Sequence, residues 1–171
     1  MTHPNLEPHE RAVVLFSGGQ DSTTCLYWAC ERFESVTALF IHYGQRHAIE
    51  AEQARHIALQ AQVALVEQSM DLNQLWAANS LTDARQPLET STVPSTQPPA
   101  TFVPGRNLLF LTLAAILARR IDAQHLVGGM CQTDFAGYPD CRHDFIQATQ
   151  QTLRLGFGFE FLIHTPLMFL D

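Results

Sequence analysis

Apolar and polar positions fall in blocks along the chain. Ala12–Phe16 (AVVLF) is an unbroken apolar run of the kind that forms a strand buried on both faces. A Ser-Gly-Gly turn follows, and Ser22–Glu34 suits a helix. Val36–Tyr43 (VTALFIHY) is a second β-rich run. In Ala48–Ala61 the residues Ile49, Ala54, Ile57, Ala58 and Ala61 lie near one helical face, with Glu50, Glu52, Gln53 and Arg55 away from it. Val63–Val66 reads as a short third strand and Asp71–Ala78 as a short helix. Gln86–Gly105 holds five of the nine prolines, so it is expected to be an irregular loop. Arg106–Ile121 is predicted as a long helix, apolar around most of its circumference and therefore central. His125–Gly129 (HLVGG) reads as a fourth strand, Cys131–Asp140 as a Gly/Pro-punctuated loop, and Cys141–Leu155 as a helix. Phe159–Ile163 with Leu167–Leu170 is expected to form a fifth strand broken at Pro166.

Strands alternating with helices predict an α/β fold: a parallel five-stranded sheet with helices on both faces. No internal repeat is present, and residues 1–171 are expected to form a single domain. In such folds ligands bind beyond the carboxyl ends of the strands. The motifs described below each follow the end of a predicted strand.

Composition narrows the chemistry. Hydrophobic residues make up 46% of the chain and charged residues only 16%, which argues against disorder and suggests surface covered by another chain or segment. The ten basic residues are all Arg, so a P-loop lysine, a Schiff base and a Lys nucleophile are excluded. A net charge of −7 argues against a nucleic-acid partner. The polar start MTHPNLEPHE lacks the basic and apolar regions of a signal peptide, and no stretch reaches 18 apolar residues. A cytoplasmic protein with no membrane partner is therefore expected, with Cys25, Cys30, Cys131 and Cys141 unpaired. On one helix, Cys25 and Cys30 would point ~140° apart and could not share a metal.

The first strand runs into Ser17-Gly18-Gly19-Gln20-Asp21-Ser22 and then into a helix. The glycines let backbone N–H groups approach a polyphosphate closely, and the helix start adds unpaired amides and partial positive charge. Ser17 and Ser22 offer hydroxyl groups. Asp21 would repel phosphate unless a divalent cation lay between them, which points to Mg²⁺. The turn is neither a Walker A loop, since the closing Lys is absent, nor a GxGxxG loop. SGGxDS is the signature of the PP-loop ATP pyrophosphatases, which cleave ATP between the α- and β-phosphates.

The resemblance extends further. FSGGQDSTTCL (Phe16–Leu26), HYGQRH (His42–His47), TFVPGRNLLFLTLAA (Thr101–Ala115), CQTDFAGYPDCR (Cys131–Arg142) and TPLMFLD (Thr165–Asp171) together resemble the 7-cyano-7-deazaguanine (preQ0) synthase family, in family order across nearly the whole chain. That resemblance implies a Rossmann-like PP-loop (adenine nucleotide alpha hydrolase-like) fold. It also implies ATP binding by the stretch Phe16, Ser17, Gly18, Gly19, Gln20, Asp21, Ser22, Thr23, Thr24, Cys25 and Leu26. The implied reaction, in queuosine biosynthesis, is adenylation of 7-carboxy-7-deazaguanine, attack by ammonia to give an amide, and ATP-driven dehydration to the nitrile. Two other readings are a nucleotide-binding remnant without catalysis, and a PP-loop tRNA thiolase; net charge, the lack of Lys and the absence of CxxC argue against the thiolase.

Adenylation needs cations around the phosphates and an in-line carboxylate. Without Lys these cations are Arg and Mg²⁺. Arg106, after Pro104-Gly105 at the start of the long helix, is the candidate for phosphate or substrate carboxylate, beside Ser17 and Asp21 as catalytic residues. Its alternative is an Arg that pins the Pro-rich loop. Arg46 is a second candidate, or a solvated surface residue. The loop after strand four offers Thr133, Asp134, Tyr138, Asp140 and Arg142 as substrate-binding residues. A carboxylate, Asp134 or Asp140, would match the adjacent N–H and NH₂ donors of a deazaguanine, and Phe135 or Tyr138 could stack on its ring. Loop capping is the alternative for each. Cys131 is not expected to be a nucleophile, since ammonia needs no thioester. His42 and His47 flank Gly44 and either line an adenosine pocket or are ordinary turn and core histidines.

Members of the resembled family carry, after the PLMFLD-like strand, a helical region and a four-cysteine zinc site. The cysteines here match other family positions, so no zinc is expected from these residues. Phe157–Leu170 contains four Phe, three Leu, an Ile and a Met, and an apolar end of this kind is expected to be covered by a missing segment, a partner or a dimer mate. The resemblance and the sparse charge suggest a homodimer.

Overall fold

The computed structural model describes residues 10–43, 48–72, 103–131 and 138–170. Its strands are β1 (Arg11–Leu15), β2 (Ser35–His42), β3 (Ala64–Ser69), β4 (His125–Val127) and β5 (Leu162–His164). Its helices are α1 (Gln20–Cys30), α2 (Ala48–Gln60), α3 (Arg106–Arg120) and α4 (His143–Phe157), with one 3₁₀ turn at Pro139–Cys141. The strands form one sheet in the order β3-β2-β1-β4-β5, and each pair is parallel.

The alternation along β1 explains the two-layer cover. Val13 points to a core it shares with Leu39, Leu126, Leu111 and Ala115 of α3, and Ile146 and Leu153 of α4. Its neighbours Ala12 and Val14 point to the other face, where Cys25, Leu26 and Ala29 of α1 and Ala54, Ile57 and Ala58 of α2 cover them. A strand with both faces buried has no polar position to spare, and hence reads as the continuous run AVVLF. The fold is α/β with helices on both faces, as the sequence predicts.

Element ends differ from the expected ones in several places. Helix α1 starts at Gln20, two residues before the expected Ser22, because extended Gly19 is already its N-cap (φ −73°, ψ 166°). It stops at Cys30 rather than Glu34, since Phe33 turns into the core and Glu34 N–H donates to the Glu10 carbonyl. Strand β3 runs on through Glu67, Gln68 and Ser69; their polar side chains are tolerated because β3 is the sheet edge. Helix α4 starts at His143, after the 3₁₀ turn and an extended Arg142. The fifth strand is three residues long. Leu167–Leu170 forms turns instead, with Met168 N–H on the Thr165 carbonyl and Leu170 N–H on the Leu167 carbonyl, and Pro166 has no N–H for a ladder.

Helix α3 is central as expected, yet Leu108 and Ile116 remain exposed on one stripe. Residues 73–78 of the expected short helix and residues 86–102 of the Pro-rich loop lie outside the described residues. No described helix is long and apolar enough to cross a membrane.

Candidate nucleotide site

Strand order reverses between β1 and β4, and the chain leaves both strands at the same edge of the sheet. At that switch point a cleft of about 560 Å³ opens. It is floored by Phe16–Gly19, Asp21, Ser22 and Gly129, with Glu50 and Gln53 of α2 on one side and Arg106, Asn107 and Phe110 of α3 on the other.

The turn after β1 is held by its own serines. Ser22 Oγ is nearly buried and donates to the Gly19 carbonyl at 3.0 Å. That leaves it only lone pairs, which accept from Ser17 N–H at 3.2 Å and from the Ser17 hydroxyl at 3.1 Å. Ser17 Oγ in turn accepts Gly19 N–H at 3.3 Å. The hydroxyls thus shape the turn, while the N-terminus of α1 has no side-chain cap. Gly18 takes φ +79°, and a Cβ there would lie 3.0 Å from Ala54 N. Gly129 lets β4 approach equally closely, since its Cβ would sit 3.3 Å from Asp21 Cβ.

On the opposite wall Pro104-Gly105 turns the chain into α3, which places half-buried Arg106 at the helix start in the cleft. The 3₁₀ turn docks against that start. Asn107 N–H donates to Asp140 Oδ2 at 3.0 Å, and Asn107 Nδ2 donates to the Asp140 carbonyl at 3.2 Å and to Cys141 Sγ at 3.4 Å. Asp140 is buried and its carboxylate serves as a cap for α3.

The expected site residues divide accordingly. Phe16, Ser17, Gly18, Gly19, Asp21, Ser22 and Arg106 line the cleft together. Gln20, Thr23 and Thr24 do not line it; the Thr24 hydroxyl donates to the Gln20 carbonyl. Cys25 and Leu26 point into the core and are fully buried. Asp140, Tyr138 and Arg142 stand behind Cys141 and do not line the cleft. Thr133, Asp134 and Phe135 lie outside the described residues, as do Gly44, Arg46 and His47. His42 faces Glu67, its Nε2 2.8 Å from Glu67 Oε2, and does not line the cleft.

Tyr43, Asn107, Phe110 and Cys141 line the cleft from within the motif stretches although the sequence singles out none of them as a site residue, and Glu50, Gln53, Gly129 and Met130 lie outside those stretches altogether. The i, i+3 spacing of Glu50 and Gln53 marks a common helical stripe, but not that a neighbouring turn converts this stripe into a wall. Helix α2 is fixed by a surface clamp: Arg55 Nε and Nη2 donate to Glu67 at 2.8 and 2.7 Å. Those bonds, and the one with His42, hold the Glu67 carboxyl down at about 2.

Metal chemistry differs between the two candidates. Asp21 is exposed in the phosphate turn and suits a hard cation escorting a polyphosphate. Cys25 does not suit zinc. Among the described residues no three His, Cys, Asp or Glu side chains come together as a metal-binding group. Burial, and then the Asp21 charge, push the Cys25 thiol up to about 12, the reverse of a metal-bound thiolate.

A parallel 3-2-1-4-5 sheet with a serine-braced glycine turn at its switch point defines a PP-loop nucleotide-binding protein. The chain belongs to the queuosine biosynthesis protein QueC family, whose model matches residues 11–171. It is 50% identical over 165 residues to the 7-cyano-7-deazaguanine synthase of Lysinibacillus sphaericus (strain C3-41), covering 95% of the chain and 73% of that relative. Among solved structures, a predicted subunit of tRNA methyltransferase from Methanocaldococcus jannaschii matches with TM-score 0.57 and 18% identity, over 95% of the chain and 70% of its own, a likeness of fold.

Proposed function

We propose that the chain makes 7-cyano-7-deazaguanine from 7-carboxy-7-deazaguanine, ammonia and ATP. Membership of the QueC family and the 50% identity to a synthase of that name support this reading. The observation that carries it to the residues is the meeting of the serine-braced turn and Arg106 across one cleft.

ATP places its phosphates on the free first-turn amides of α1 and on Gly18 and Gly19. Asp21 would hold a Mg²⁺ ion brought in with the polyphosphate, and such an ion would supply positive charge for the leaving group. Arg106 draws the substrate carboxylate toward the α-phosphorus; its planar fork fits a carboxylate or a phosphate. A carboxylate oxygen attacks that phosphorus and pyrophosphate departs. Ammonia then attacks the acyl adenylate, AMP leaves and the amide forms. A second ATP turns the amide oxygen into a leaving group, and its departure as AMP, with loss of two protons from nitrogen, leaves the nitrile.

Ser17 and Ser22 keep the turn in shape rather than reacting, since each hydroxyl proton is already donated. Asp140 supports Arg106 by capping α3. Soluble small-molecule substrates accord with a cytoplasmic enzyme, and a homodimer accords with the sparse charge of the chain.

The test incubates the protein with ATP, Mg²⁺, ammonium and the carboxy-deazaguanine. AMP and the nitrile are expected together, and Asp21→Ala is expected to bring AMP formation to background with the melting temperature unchanged. ATP turnover that ignores the deazaguanine, or wild-type rates in Asp21→Ala, would refute the proposal.

A further inference from the structure

The cleft is sorted by charge. Among the described lining residues the carboxylates are Asp21 and Glu50, and the cation is Arg106. Asp21 belongs to the phosphate turn. Arg106 stands on α3, on one side of the sheet, and Glu50 on α2, on the other. An acyl substrate carries its own carboxylate, so it is drawn toward Arg106 and repelled from Glu50. The part of the ligands that faces Glu50 is therefore uncharged and rich in hydrogen-bond donors.

Distance along α2 narrows what that part is. The backbone of Ala54 touches the phosphate turn at Gly18. Glu50 lies one helical turn before Ala54, on the same stripe, roughly 6 Å further along the axis. That is the offset of a ribose from its own phosphates. A ribose presents two vicinal hydroxyl donors, and a carboxylate accepts both at once. Glu50 is half-buried, and among the described residues no hydrogen bond or ion pair occupies its carboxylate.

We infer that Glu50 reads the ribose hydroxyls of the bound nucleotide and makes the site selective for ribonucleotides over deoxyribonucleotides. The inference rests on the reading of the cleft as an ATP site. Gln53, one position before Ala54 on the cleft wall, flanks the same edge. A site built around two hydroxyls discriminates against a ligand lacking one, because the half-buried acceptor is left without one of its partners.

The experiment measures dissociation constants of Mg²⁺ complexes of ATP, 2′-deoxy-ATP and 3′-deoxy-ATP by calorimetry. In the wild-type protein each deoxy analogue is expected to bind roughly tenfold more weakly than ATP, the usual scale for a lost bond to a charged group. In Glu50→Ala that ratio falls to about one, because ATP weakens to the level of the analogues. Glu50→Gln, which keeps one acceptor, lies between. Equal ratios in wild type and Glu50→Ala, or no discrimination in the wild type, would overturn the inference while leaving the ATP site standing. Failure of the wild-type protein to bind ATP would overturn the nucleotide reading and the inference with it.

Discussion

The backbone of Ala54 lies against Gly18, so close that a Cβ on residue 18 would sit 3.0 Å from Ala54 N and 3.1 Å from Ala54 Cα. The phosphate turn and the helix beside it are thus fitted to each other at a point where no side chain is possible. The turn also needs φ +79° there, a conformation that L side chains rarely adopt.

Gly18→Ala therefore acts through two independent penalties, steric and conformational. The variant is expected to lose about 1–3 kcal/mol of stability, the range for a strained backbone position. ATP affinity should fall at least tenfold, since the turn that carries the amides must move. Urea denaturation and calorimetry check the two effects separately.

Asp140 separates a cap from a substrate contact. Replacing it by Ala leaves Asn107 N–H without its acceptor, and a loss of about 1–2 kcal/mol is expected from the missing cap. Because Arg106 is the residue before Asn107, KM for the carboxylate substrate should rise along with the fall in melting temperature. A rise in KM at unchanged stability would show instead that the carboxylate touches the substrate.

A histidine pair, His125 buried and His164 half-buried, makes the fold sensitive to acid. His125 Nδ1 is 2.9 Å from His164 Nε2 on neighbouring strands. Phe33 lies against both rings, Trp28 against His164, and the Arg32 guanidinium sits over Trp28. Glu10 Oε2 approaches His125 Nε2 to 3.0 Å. Burial, and then the neighbouring His125, push His164 down to about 4; burial lowers His125 as well, against the pull of Glu10.

Both histidines titrate near 6.5 in the unfolded chain, so at pH values below that the unfolded state binds more protons. Stability is therefore complete above about pH 6.5 and declines as pH falls toward 4. The His164 share is no more than about 3.5 kcal/mol, since each tenfold change in proton affinity between the folded and unfolded chain is worth about 1.4 kcal/mol. Urea midpoints measured from pH 7.5 to 5 should fall steadily. His164→Gln should flatten that slope; an unchanged slope would place the acid sensitivity elsewhere.

The sequence by itself determined the layers and the phosphate turn. Continuous apolar runs such as AVVLF and helical stripes such as Ala54, Ile57 and Ala58 are local signals with fixed periods, and SGGQDS carries its own turn chemistry. Each can be read because the energetic reason lies within a few residues. Tertiary structure decided what those elements face. It spent the Asp140 carboxylate on α3, 33 residues earlier in the chain, and buried Cys25 and Leu26 although they sit inside the phosphate-turn motif. It turned Glu50 and Gln53, outward by helical pattern, into a wall of the cleft. These outcomes depend on which strands meet at the switch point and how closely Gly18 lets α2 approach. Such contacts join residues far apart in the chain, and no local period records them.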